Sequence, residues 1–257
     1  MDRHEISQIA HLDHPIAAPV TRANVRELLS RLSPPHGARV VDLGCGWGEW
    51  LIELLAARPD LTGVGVDLSL PSDVDARAQA RGVAHRVTWV EADASGWSDE
   101  DFDVVLCVGA SHAFGGLSGT LHGVRRVLRP GGQLLLGDTV WDAPPSAAAQ
   151  EALGAGPDDF PDLPGLVDVA RAHGFEPGYG HVSTLQEWDD YEWSWTGSLT
   201  TWALQQAPDP DSREQALAAA RTHREAWLRG YRHELGFVTL VLHDVGGPEG
   251  CSGGAPA

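Results

Sequence analysis

Three glycines and three aspartates carry the chemistry most legible in this sequence. Gly44, Gly46 and Gly48 alternate directly after the run Arg39-Val-Val-Asp-Leu43, and a helical stretch follows them. A glycine-rich bend between a strand and a helix lets the main chain pass close to a ligand at the carboxyl edge of an open sheet. Such a bend is a weak signal by itself. Asp67 ends the next apolar run, 67 − 44 = 23 positions after the first glycine. That is near the spacing of about 20 at which a carboxylate accepts hydrogen bonds from both hydroxyls of a ribose. A third run leads into Glu91-Ala-Asp93-Ala94. Three successive strands thus bring Asp42, Asp67 and Asp93 to one rim. Any one of them reads as a loop cap; the set reads as a grip on a nucleoside.

Groups that could act on a bound molecule lie downstream. The run Val104 to Val108 is followed by Gly109-Ala-Ser-His112. His112 is the candidate base or orienting group, because an imidazole exchanges a proton near neutral pH. The alternative is a structural histidine bonded to backbone, and geometry decides between them. Further on, Glu187-Trp-Asp-Asp-Tyr-Glu-Trp-Ser-Trp195 mixes aromatic faces with carboxylates, a composition that suits an amine or another cation. Trp188, Tyr191, Trp195 and Trp202 recur there at helical steps and read first as a docking stripe. Glu192 and Trp193 are left on another face as candidate substrate contacts. Asp138 and Trp141, after the fifth apolar run, are further pocket candidates. His11 and His14 lie three apart with no identifiable third ligand, so no metal site is expected.

These residues need a scaffold that gathers several strand ends at one edge. From Arg39 to Phe175 short β-branched runs alternate with helical stretches, the pattern of a parallel sheet with right-handed crossovers. Strands are predicted at Val40–Leu43, Gly63–Val66, Val87–Val90, Val104–Val108 and Gln133–Leu136. A sixth is predicted at Tyr179–Ser183 and a seventh at Phe237–His243. Pro59, Gly82, Pro130-Gly-Gly132 and Gly174 mark the ends of the helices. Thr184 with Glu187, and Ser212 with Gln215, have capping-box spacing, which predicts helices over Leu185–Gln206 and Arg213–Leu235. On the second, Leu217, Ala220, Trp227, Leu228, Tyr231 and Leu235 form one apolar stripe. Residues 1–35 make a helical extension containing His4, His11 and His14, whereas 246–257 hold too little apolar surface to order themselves.

Composition narrows the class of partner. A chain of 257 residues with 42% hydrophobic content suits one sizeable α/β domain with an appendage. Its formal net charge of -18 argues against binding nucleic-acid phosphates or an anionic membrane. A small neutral or cationic molecule fits better, although acidity of this kind also simply keeps a surface soluble. The three cysteines, Cys45, Cys107 and Cys251, show no metal-like spacing and read as reduced thiols. Charges in the first five residues, and no apolar run near the roughly 20 residues of a membrane span, point to a cytoplasmic location.

Taken in order, Val41-Asp-Leu-Gly-Cys-Gly-Trp-Gly48, Gly65-Val-Asp-Leu68, Glu91-Ala-Asp93, Phe102-Asp-Val-Val-Leu106 and Leu128-Arg-Pro-Gly-Gly132 resemble the motifs of class I S-adenosylmethionine-dependent methyltransferases. The resemblance spans roughly residues 38 to 138, and Gly236 to His243 suits that family's antiparallel last strand. It implies an α/β, doubly wound, mainly parallel seven-stranded sheet with an antiparallel last strand. The core would be 36–183 with 236–245, and 184–235 the helical insert. Residues 1–35 would be a helical lid, since His11-Leu-Asp-His14-Pro-Ile16 resembles the lid of some bacterial small-molecule methyltransferases. The last stretch, 246–257, would be a disordered tail.

By the same resemblance S-adenosylmethionine is the cofactor. Gly44 and Gly46 would line its methionine part, with Asp42 orienting that end. Asp67, followed by Leu68, would hold the ribose hydroxyls, Asp93 and Ala94 the adenine edge, and Gly109 would flank the sulfonium. Trp47 and Trp97 depart from the small or variable residues often found at their positions; they either shield the cofactor or pack. A nicotinamide-binding fingerprint is the nearest rival, but Glu49 stands where its third glycine belongs. A carboxylate there would repel a pyrophosphate and not a sulfonium. Neither Asn-Pro-Pro-Tyr nor Asp-Pro-Pro-Tyr follows strand four, so nucleic-acid amino groups are not the expected acceptors. The expected activity is in-line transfer of the methyl group to an N or O atom of a small metabolite, with a lean toward an amine. His112 would be catalytic, and His14, Trp141, Glu192 and Trp193 would contact the substrate. The competing readings are a binding protein without turnover and an enzyme that uses the cofactor for a reaction such as cyclisation.

Overall fold

The computed structural model describes residues 1–246, so Cys251 and all but the first residue of the predicted tail lie outside the described residues. The chain folds around one seven-stranded sheet in the order β3-β2-β1-β4-β5-β7-β6. The strands are β1 Arg39–Leu43, β2 Thr62–Asp67, β3 Val87–Glu91, β4 Phe102–Val108, β5 Leu128–Trp141, β6 Phe175–Val182 and β7 Leu235–Asp244. Neighbours from β3 to β5 pair in parallel, and β7 runs antiparallel to both β5 and β6. The chain order reverses at β1 and β4, which opens a crevice above their carboxyl ends.

Side chains of the central strands alternate between two cores. Val40, Val104 and Leu135 face one layer, while Val41, Val105, Leu134 and Leu136 face the other. The first layer is covered by α2 (Arg22–Ser30), α3 (Glu49–Ala57) and α4 (Val74–Ala80), and the second by α5 (Leu117–Val127) and α7 (Leu163–Ala172). Burial on both faces is why these strands read as continuous apolar runs rather than alternating ones. The edge strand β6 does alternate, and it accommodates Pro177 at a register shift, as an edge can.

Four local readings change. Pro130-Gly131-Gly132 does not cap a helix: α5 ends at Val127, and the residues from Leu128 already belong to β5. The pairing passes from Phe102↔Leu128 to Val104↔Gln133, so the Pro-Gly-Gly turn sits in a bulge, with the Gly131 amide donating to Asp244 at 2.9 Å. A short helix α6, Ala147–Leu153, capped by Ser146 and stopped by Gly154 at φ 63°, was not anticipated. Thr184 and Glu187 form the expected capping box of α8 (Leu185–Gln205), but Ser212 does not cap α9. Asp209 does, accepting from the Ser212 amide at 2.8 Å, and α9 runs Pro210–Ala226 with its proline in the first turn. It continues as a π turn over Trp227–Tyr231. The wider turn shifts the helical phase, so Trp227 and Tyr231 stay buried while Leu228 faces outward.

Before the sheet, α1 (Arg3–Ala10) opens with an Asp2–Glu5 capping box and lies against α8. Ile6, Ile9 and Ala10 join Leu199, Ala203, Ala216 and Ala220 in a separate small core. Thr21, Asn24, Asp13 and Ile16 then tie the following segment down. Glu187 accepts from the Thr21 amide at 3.0 Å and from Asn24 Nδ2 at 2.8 Å. Asp13 accepts from Ser198 Oγ at 2.8 Å, and Trp50 Nε1 donates to the Ile16 carbonyl at 3.2 Å. The N-terminal segment therefore crosses the carboxyl edge of the sheet, held by the β1–α3 unit on one side and by α8 on the other. No helix among the described residues is long and apolar enough to cross a membrane.

Candidate active site

At that edge the strand ends enclose a cavity of about 760 Å³. Its floor is Gly44, Asp67, Leu68, Asp93, Ala94, Val108, Gly109 and Ala110, and its far wall includes His112. Helix α1 and α8 roof it with Arg3, Ser7, His11 and Tyr191.

The glycine bend is shaped from below by strand β2. The amides of Gly44 and Cys45 both donate to the Val66 carbonyl, at 2.8 and 3.0 Å, and the Gly46 amide donates to Asp67 Oδ2 at 2.8 Å. Asp67 Oδ1 accepts from the Ser69 amide at 3.1 Å. Asp67 thus latches the bend, and its half-buried carboxylate edges the cavity. Gly44 sits at φ +78°, where a Cβ would lie 2.4 Å from the Ala110 methyl. The position is closed to any side chain on both counts.

Asp42 lies beneath the bend, 3% exposed, and its Oδ2 has no hydrogen-bond partner. Burial, reinforced by the charge of Asp67, pushes this carboxyl up to about 8. Burial also pushes the Cys45 thiol up, so that cysteine is an inert packing residue. Asp93 caps the short turn Ala94–Gly96 and accepts from the Ser95 hydroxyl and amide at 2.8 and 2.9 Å, bonds that hold its carboxyl below the usual range. Leu68 is 70% exposed at the cavity rim, an apolar surface available to a flat ligand.

Beyond β4 the chain turns through Ser111–Phe114, which places the exposed His112 ring on the cavity wall. Among the described residues that ring makes no hydrogen bond, so it is available to a ligand. Behind it, buried Asp138 accepts from Ser111 Oγ and from the Thr139 amide, both at 2.8 Å, and burial raises its carboxyl. Trp47 and Trp97 line no part of the cavity. Trp47 is buried under the Arg77 guanidinium, 4.6 Å from its ring, and Trp97 packs against the second core, so both are packing residues.

Six of the cofactor residues read from sequence, namely Gly44, Asp67, Leu68, Asp93, Ala94 and Gly109, thus meet in one cavity with His112. Asp42 and Gly46 support its bend from behind. The substrate candidates fare differently. His14 stands behind the roof, its ring edge 5.5 Å from Tyr191, with Nδ1 buried and unpartnered. Trp141 lines a separate cavity of about 860 Å³, on the Gly115–Ser118 side and near Phe160. Glu192, expected on an open face, is 1% exposed and accepts from Tyr231 OH at 2.7 Å, with His223 Nε2 at 2.6 Å. Trp193 is exposed, but packs edge-on to Trp227 at 5.1 Å, away from the cavity. Asp189 is paired with Arg232 and Asp190 with Gln186. The carboxylates that suggested an amine acceptor are spent on the insert's own packing.

Of the roof residues, sequence reading missed Arg3 and Ser7 and gave His11 and Tyr191 other roles, the one in the N-terminal lid and the other in a docking stripe. Arg3, Ser7 and His11 fall at four-residue steps along one face of α1, beside the face that carries Ile6, Ile9 and Ala10. Among the described residues no group of three His, Cys, Asp or Glu side chains is placed to hold a metal ion.

Comparison with known proteins adds three findings. Residues 40–132 match the model of a methyltransferase domain. The chain is 33% identical to the uncharacterized protein YjhP of Escherichia coli K12, over 94% of this chain and 99% of that protein. A crystal structure of a SAM-dependent methyltransferase from Geobacter sulfurreducens, in complex with S-adenosyl-L-homocysteine, superposes with a TM-score of 0.84 at 32% identity, covering 93% of this chain and 97% of that one. Its counterpart from Thiobacillus denitrificans, also with S-adenosyl-L-homocysteine, gives 0.82 at 31% identity, covering 94% and 98%.

Proposed function

The chain belongs to the class I S-adenosylmethionine-dependent methyltransferases, and from that membership we propose that it moves the methyl group of S-adenosylmethionine onto an N or O atom of a small metabolite. One observation carries this reading: a single cavity joins the Asp67-latched glycine bend to the imidazole of His112. The residues present fit the cofactor. Asp67 would accept from the ribose hydroxyls, Asp93 and Ala94 would meet the adenine edge, and Leu68 would cover a face of the ring. Gly44, Gly46 and Gly109 leave room for the methionine end. The unpartnered Oδ2 of Asp42 beneath it is left open to a hydrogen-bond partner. When bound, the cofactor supplies a methyl group on a sulfonium, open to in-line displacement.

The protein's part is to hold the acceptor in line, keep water out and place a group near the acceptor atom. His112 does the last on this reading, and the Asp138–Ser111 pair fixes the turn that carries it. Residues 1–35 act as the lid and 184–235 as the insert against which it closes. Of the residues first assigned to the acceptor only His14 remains close, through Tyr191. Calorimetry with S-adenosylhomocysteine, followed by an acceptor screen that detects its release from S-adenosylmethionine, tests the reading. Binding and release are expected, with His112→Ala retaining binding and losing rate; no binding by the wild-type chain would refute it.

A further inference from the structure

The roof of the cavity holds an acid–base pair that the reading above does not use. His11 Nδ1 lies 2.8 Å from the Ser7 carbonyl, and a carbonyl only accepts, so Nδ1 carries the ring proton. His11 Nε2 then presents a lone pair, 3.1 Å from the hydroxyl of Tyr191, which donates to it. Both residues line the cavity. The Tyr191 ring is set by two edge contacts, His14 at 5.5 Å and Trp188 at 6.2 Å.

On the methyltransferase reading, and resting on it, we propose that Tyr191 and His11 are the proton relay of the acceptor site and that the acceptor is a hydroxyl group. The acceptor oxygen forms a bond to the methyl carbon as the carbon–sulfur bond breaks with its electron pair left on sulfur. The acceptor proton passes to the Tyr191 oxygen while the Tyr191 proton passes to His11 Nε2. The imidazolium so formed keeps its Nδ1–H on the Ser7 carbonyl and later gives its extra proton to solvent. Tyr191 is the catalytic residue of the relay, His11 acts through it, and His112 on the opposite wall orients the acceptor.

The surroundings agree with each role. Burial lowers the affinity of His11 for a second proton, aided by His14 and His223 and opposed by the Ser7 carbonyl and Glu192. The ring is therefore neutral and ready near pH 7. Burial raises the Tyr191 phenol, so it cannot ionise unaided and needs a partner for its proton. The other charged groups on the cavity are Asp67 and Asp93 on the floor and Arg3 on the roof, with His112 on the wall. A hydroxyl needs a base as it reacts, which the pair supplies.

The test uses the full chain, with Tyr191→Phe and His11→Gln beside the wild type. Calorimetry with S-adenosylhomocysteine should give dissociation constants within threefold of one another. Failure of the wild type to bind overturns the methyltransferase reading and the relay together, whereas equal binding isolates the relay. Nitrogen NMR of the imidazoles should show His11 as the Nδ1–H tautomer, titrating at higher pH in Tyr191→Phe because the hydrogen bond to the neutral ring is lost. With a panel of phenols, aliphatic alcohols and amines, hydroxyl acceptors should turn over. Tyr191→Phe should slow them by at least about 10²-fold, and His11→Gln should lose the fall in rate toward acid pH seen in the wild type. An Nε2–H tautomer for His11, wild-type rates in Tyr191→Phe, or turnover confined to amines each overturns the relay.

Discussion

Replacing Asp67 with Ala separates the cofactor grip from the rest of the fold. The side chain makes two internal hydrogen bonds, from Gly46 at 2.8 Å and Ser69 at 3.1 Å, and its half-buried edge is offered to a ribose. Hydrogen bonds to a charged group contribute about 1.5–3 kcal/mol each. Two ribose hydroxyls at the lower figure, appropriate to a half-buried site, amount to about 3 kcal/mol. At about 1.4 kcal/mol per decade that is roughly a 10²-fold weaker affinity. The lost latch on Gly46 adds a separate effect, about 1 kcal/mol of stability, which lowers Tm by about 2–4 °C in a chain of this size. Asp67→Asn divides the two, since its carbonyl still accepts from Gly46 while the charge is gone. The assay is calorimetric titration with S-adenosylhomocysteine, paired with a thermal melt of each variant. A dissociation constant for Asp67→Ala within threefold of wild type, at a near-native melt, would refute the assignment.

Three further outcomes follow from the same geometry. Gly44→Ala drives a methyl group into Ala110 at 2.4 Å and strains a φ of +78°; a loss of about 1–3 kcal/mol in chemical denaturation is expected, with S-adenosylhomocysteine binding lost alongside. Asp42 holds its proton up to about 8 when folded against an ordinary 3.8, so its contribution to stability is complete below pH 3.8 and declines as pH rises toward 8. At 1.36 kcal/mol per pH unit the decline by pH 7 is about 4 kcal/mol, and Asp42→Asn should flatten the stability profile between pH 4 and 8 by an amount of that order; an unchanged profile would contradict the assignment. Burial alone would raise the Glu187 carboxyl, but the Thr184 and Thr21 amides and Asn24 outweigh it and hold it down to about 2. Its contribution is present above about pH 4.5 and lost as pH falls toward 2, so Glu187→Gln should have the shallower acid melting curve, and proteolysis near Thr21 should quicken as the N-terminal segment loosens.

The floor of the site was legible because it depends on local order. A glycine bend must follow β1, and carboxylates must end β2 and β3, whatever the rest of the chain does, so Gly44, Asp67 and Asp93 announce themselves through spacing and backbone chemistry. Parallel strands buried on both faces likewise leave continuous apolar runs, which is why β1, β2 and β4 could be placed within two residues, whereas β5 extends five residues beyond its predicted run at each end. Helix ends were less secure. Asp209 and Ser212 both have capping chemistry, and α9 starts from the first, with Pro210 in its first turn. The roof was decided by tertiary structure alone. Whether Glu192 meets a substrate or His223 and Tyr231 depends on how α8 and α9 pack, across 31 and 39 residues of chain. Tyr191 and His11 come from segments 180 residues apart, and no periodicity links them. Sequence spacing reports contacts within one element or one βα unit; a polar group on a helix can be assigned to a cavity or to a neighbour only once the helix has a place to lie.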